Sequence, residues 1–188
     1  MENERQPKRD SKMTNAFLAT ESWQQAVART LPAFGHRNWI VVADSAYPQQ
    51  ARQGVRTIVA DTDQAHAVQT VLSGIEESWH VRPIIHLDQE LDFLDEADAP
   101  GIGKYRDWLI DKLKEHRTTA HPHEEIIARV DEAAERFQVL VVKSHMALPY
   151  TSVFFELDCG YWNPEAEARL RARIGEGNRG QGTGNGGR

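Results

Sequence analysis

Hydrophobic residues fall in short, near-continuous runs at Trp39–Ala43, Val55–Ala60, Val81–Leu87, Gln138–Val142 and Val153–Leu157. Runs of this kind, rather than an in–out alternation, mark strands covered on both faces. Between them apolar positions recur at helical spacing. Thr62 reads as an N-cap ahead of Val68, Val71, Leu72 and Ile75. Ile102, Tyr105, Leu109 and Leu113 make a second stripe, and Ile126 or Ile127 with Val130, Ala134 and Phe137 a third. Asn163 as cap and Pro164 at the first helical position open a final helix over Glu165–Ile174. The acidic segment Asp88–Pro100 predicts an exposed helix or loop. Strands alternating with helices predict an α/β fold, a three-layer αβα single domain with a largely parallel sheet.

The two ends break this pattern. Residues 1–15 are polar and charged, and 175–188 are mostly Gly, Asn, Gln and Arg, too poor in apolar groups to offset their ordering entropy. Both predict disordered tails around one domain over 16–174, a usual size for 188 residues. A formal charge of −6 argues against nucleic acid, whose phosphates favour a basic face. No apolar run approaches the ~18 residues of a membrane span, and no signal-peptide pattern opens the chain. The single cysteine, Cys159, rules out an intrachain disulfide and a thiolate zinc cluster. Together these predict a cytoplasmic protein.

Candidate chemistry gathers in few places. In Gly35–Pro48, GHRNWIVVADSAYP, a Gly-His pair precedes a strand and Asp44 follows at its carboxyl end. That end of an open α/β sheet is where ligands commonly sit. A histidine can move a proton near neutral pH unaided, and an aspartate can accept two hydroxyl hydrogen bonds. A solvated loop His36 and a turn-forming Asp44 would leave the same pattern. His121-Pro122-His123 followed by two glutamates has a metal-like look. The proline takes the first histidine out of helical register, and no further ligand spacing follows, so no metal is expected. His86, beside Asp88 at a strand end, reads mainly as a hydrogen-bonded structural histidine. No G-x-G-x-x-G follows a strand and no G-x-x-x-x-G-K-[ST] loop is present, so no nucleotide cofactor is expected.

Gly35, His36, Asp44 and Pro48 match, at the same spacing, the signature G-H-x-D, five residues, D-x-x-x-P of the RbsD/FucU family of D-ribose pyranases and L-fucose mutarotases. Asn38 stands in place of the first Asp. Near the other end, VVKSHMALPYTSVFFELDCG resembles that family's closing strand, loop and strand with its Pro-Tyr-x-Asn turn. Pro149 and Tyr150 match, Ser152 replaces the Asn, and Met146 falls where many members have Glu. The resemblance covers roughly residues 21–160.

The resemblance implies a cofactor-free sugar mutarotase or pyranase acting on a ribose- or fucose-like monosaccharide. His36 would donate the proton. Asp44 and Tyr150 would bind sugar hydroxyls, helped by Thr151 and Ser152, with His123 or Arg129 supplying one more polar contact. The departures at Asn38, Met146 and Ser152 motivate an alternative, a binding or regulatory protein of the same fold without catalysis. An unrelated α/β scaffold is a second alternative. Eight positions separate His36 from Asp44 and span roughly 26 Å when extended at ~3.3 Å per residue. Either the loop from Pro32 to Asn38 folds back, or the two residues serve one ligand from different copies. The family resemblance implies the latter, a homo-oligomer with sites near subunit contacts.

Overall fold

The computed structural model describes residues 21–180. The N-terminal tail and most of the Gly-rich tail read from the sequence lie outside them. In chain order the elements are α1 (Trp23–Thr30), β1 (Trp39–Ala43), β2 (Val55–Val59), α2 (Gln64–Glu76), β3 (Val81–Asp88), α3 (Ile102–Leu113), β4 (Thr118–His121), α4 (His123–Arg136), β5 (Val139–Lys143), β6 (Val153–Cys159) and α5 (Pro164–Gly180). Short 3₁₀ turns occupy Leu31–Ala33 and Gln89–Phe93.

The strands form one sheet in the order β2-β5-β1-β6-β3-β4. β1, β2 and β5 pair in parallel, as do β3 and β4, while β6 runs antiparallel to both β1 and β3. The reversal has a local cause. The link from β5 to β6 spans only 144–152 and carries no helix, too little chain for a parallel crossover. The sheet is therefore parallel apart from one strand.

The fully buried β1 feeds two cores by alternation. Ile40 and Val42 face α1, α2 and α3, packing with Leu72, Ile75, Tyr105, Leu109 and Phe155. Trp39, Val41 and Ala43 face α4, packing with Ile126, Val130 and Phe154. Each large side chain removed completely from water, such as Ile40 or Leu72, contributes about 1.5–3 kcal/mol. This is the three-layer arrangement.

Differences from the sequence reading are small and have physical reasons. α2 is capped by Asp63, whose carboxylate accepts from the His66 N–H at 2.8 Å, not by Thr62. α1 is an extra helix held by a capping box between Ser22 and Gln25. β4 is an extra edge strand of four residues, TTAH, too short and polar to show as an apolar run. In the acidic segment after β3, Leu91 and Ala99 are buried beneath a mostly exposed surface. Asn163 caps α5 through the Ala166 N–H at 2.8 Å, and the helix runs on past Ile174 to Gly180.

A buried Gln64 ties the layers together at the carboxyl end of β1. Its side-chain amide donates to Val42 O at 3.1 Å and to Thr151 O at 2.8 Å, and its carbonyl accepts from the Ser144 hydroxyl. Tyr105 from α3 also donates to Thr151 O, at 2.7 Å. These bonds lock the turn before β6 onto the end of β1.

Candidate functional site

β6 enters the sheet from the end at which β1, β3 and β5 finish. The segments after β1, after β3, before α4 and before β6 therefore meet at one sheet edge. The segment after β1, the first turns of α4 and the turn before β6 enclose a cleft of about 350 Å³ walled by Asp44, Tyr47, Gln50, His123, Ile127 and Tyr150, among others. Asp44 and Tyr150, 106 positions apart in the chain, and His123 from the start of α4 thus come to one place.

Each side chain is fixed from behind. The Asp44 carboxylate accepts from the Ala46 N–H at 2.8 Å and from the Ser152 hydroxyl at 3.2 Å. The same Ser152 oxygen accepts the Asp44 N–H at 3.4 Å. Tyr150 has φ +56, an unusual conformation for a bulky residue that costs of order 1–3 kcal/mol and is concentrated at functional sites. That turn sets its ring edge-on to His123, centroids 5.4 Å apart. His123 Nδ1 lies 2.9 Å from Asp88 Oδ1, and its backbone N–H donates to the Glu90 carboxylate.

Among the described residues the buried Asp88 Oδ2 has no hydrogen-bond partner, while the buried Tyr47 hydroxyl lies towards the Gln50 side chain. Burial raises the Asp88 carboxyl above its ordinary range, opposed by the hydrogen bond and charge of His123. Burial likewise pushes the Tyr47 phenol up to about 12.

The other residues singled out from the sequence lie elsewhere. Thr151 is completely buried, its hydroxyl donating to Leu148 O at 2.8 Å and its carbonyl used by Gln64 and Tyr105. Ser152 is buried behind Asp44, and acts on the cleft through that carboxylate. Arg129 pairs with Glu125 at 2.6 Å on the exposed side of α4 and lines a separate groove with Arg37, Trp39 and Arg136. None of these three lines the Asp44 cleft. His121 and His123 engage different partners, Glu125 and Asp88. His86 is buried, with its rings of contact supplied by Glu156 (2.9 Å), Thr119 (3.0 Å) and a stacked Trp39.

His36 stands at the far end of β1. It lines a larger cleft of about 760 Å³ with Arg82, Asp158, Tyr161 and Trp162. The loop around it does not fold back along the strand, since the Arg37 N–H donates to Leu157 O at 2.8 Å. Asn38 closes this loop with an amide used on both sides. Its carbonyl accepts from Gly35 N–H at 2.8 Å and its NH₂ donates to Gln138 O at 3.2 Å. An aspartate could make only the first bond.

The residues the sequence reading missed as site components are Asp88, Glu90 and Tyr47. Asp88 and Glu90 follow an apolar strand in the same strand-end position as Asp44, the one signal that could have marked them.

The same architecture occurs in solved structures. RbsD of Bacillus subtilis, complexed with D-ribose, superposes with a TM-score of 0.51 at 17% identity, over 71% of this chain and 91% of that one. The fucose mutarotase of Streptococcus pneumoniae, in complex with L-fucose, superposes equally well at 17% identity, covering 73% of this chain and 93% of the other. The chain has the RbsD/FucU fold. No family model and no curated protein matches the sequence. Likeness therefore resides in the RbsD/FucU architecture rather than in overall sequence. No described helix is long and apolar enough to cross a membrane.

Proposed function

We propose that this protein binds a monosaccharide and interconverts its ring forms by proton transfer, as a mutarotase or pyranase. The observation that carries the reading is the cleft of Asp44, His123 and Tyr150 on the RbsD/FucU fold, at the sheet edge where ligands of α/β proteins sit. The chemistry requires a proton placed on the ring oxygen and another taken from the anomeric hydroxyl, within reach of imidazoles and carboxylates. Asp44, held by Ser152 and the Ala46 N–H, keeps acceptor capacity for sugar hydroxyls, and Tyr150 offers a phenol and a ring face.

His36 is the proposed acid, and it reaches the cleft from a second copy of the chain. Within one copy β1 separates it from Asp44, and five strand residues span about 16 Å. Turnover of an anomerically pure sugar tests the activity. Mixing inactive His36→Ala with inactive Asp44→Asn protein tests the sharing, because hybrid sites would regain part of the activity. A fully active, monodisperse monomer would refute it. The absence of His36 from the cleft within one chain also favours a second reading, a non-catalytic sugar-binding protein. That protein would bind the sugar without accelerating ring exchange.

A further inference from the structure

On the sugar reading the acid is His36, and the group that removes the anomeric proton is still to be found. Only one imidazole lines the Asp44 cleft, that of His123. Its Nδ1 is engaged by Asp88 at 2.9 Å, while among the described residues none hydrogen-bonds its Nε2, and the side chain is 35% exposed. The Asp88 side chain is 1% exposed and ends β3, so its carboxylate is enclosed beside His123. Glu90 grips the His123 backbone N–H as well, which fixes where α4 begins relative to β3.

We propose that Asp88 is a positioning residue that holds His123 in the tautomer protonated at Nδ1, leaving a bare Nε2 to take the anomeric proton. The proposal rests on the sugar reading. As the bond between the anomeric carbon and the ring oxygen breaks, the O–H electrons of the anomeric hydroxyl become the second bond of the carbonyl. Its proton goes to His123 Nε2. The ring oxygen keeps the electron pair of the broken bond and takes a proton from His36. Closure on either face of the carbonyl returns both protons, so no co-reactant is consumed. A carboxylate behind the imidazole stabilises the cation formed midway.

The test compares wild type with Asp88→Asn and His123→Gln in the intact chain, using ring-form exchange of ribose and fucose. Asp88→Asn should lower kcat by about 10²-fold or more, the scale of a lost general base, with KM moving less than about threefold. His123 ring ¹⁵N shifts should show a bare Nε2 in wild type and lose that bias in Asp88→Asn, a change that loosened packing alone would not produce. His123→Gln, at a partly exposed position, should lose the same activity without disturbing a buried charge. Exchange that survives either substitution within twofold, or an unaltered tautomer in Asp88→Asn, overturns this proposal alone. No acceleration by wild type overturns the sugar reading and the base assignment with it.

Discussion

Replacing Gln64 with leucine removes the hydrogen bonds that pin the turn before β6 while leaving nearly the same volume in the core. Gln64 is completely buried and makes three bonds, to Val42 O, Thr151 O and the Ser144 hydroxyl. Thr151 O keeps Tyr105 as a donor and Val42 stays paired with Val153 in the β1–β6 ladder, so the substitution orphans chiefly the Ser144 hydroxyl proton. A buried polar group left unpaired costs about 1–3 kcal/mol, and the gain from burying leucine offsets part of that. The expected net loss is about 1–2 kcal/mol, or about 2–8 °C in Tm for a domain of this size. Urea unfolding monitored by tryptophan fluorescence measures it, with the midpoint falling and the m-value unchanged. Sugar affinity should fall too, since Tyr150 and Ser152 flank the released turn. A loss below ~0.5 kcal/mol would show that these bonds do not hold the turn.

Ser152→Ala should weaken sugar binding about five- to tenfold, the value of about 1 kcal/mol for the lost bond to Asp44, measurable by calorimetry with stability little changed. Gly54→Ala should destabilise the fold by about 1–3 kcal/mol in thermal unfolding, because a Cβ there would lie 2.2 Å from Ala134 O and 2.8 Å from Phe137 O, both backbone atoms. The His86 N–H beside Glu156 holds its carboxyl below the ordinary 4.5, against the burial that raises it. A depressed carboxyl stabilises the fold above its unfolded pKa and loses that contribution as pH falls through the folded value. Between pH ~5 and pH ~3 wild type should therefore lose more stability than Glu156→Gln, and parallel curves would contradict this.

The layers of the fold were legible because β1, most of β5 and the first half of β6 are apolar on both faces, so their runs show without any knowledge of neighbours. β4 was not, since an edge strand written TTAH needs only one half-covered face. The direction of β6 was in principle readable from the helix-free link 144–152, a matter of chain length. Asp44 and Tyr150 could be named from spacing and family resemblance. Their being neighbours depends on the order of strands, which no local pattern carries. The contact of Asp88 with His123 joins β3 to α4 and is visible only once the chain is folded. Thr151 and Ser152 show the converse. Their place in a motif suggests ligand contact, while burial gives their hydroxyls to Leu148 and Asp44.

Saturation-transfer NMR between the ring forms of an aldose tests the central claim most directly, because it reads ring exchange without a coupled enzyme. Added in catalytic amount to ribose or fucose, wild-type protein should accelerate exchange well above buffer, and Asp44→Asn should return the rate close to background. Exchange at the buffer rate across a panel of aldoses, or acceleration undiminished in Asp44→Asn, would contradict it.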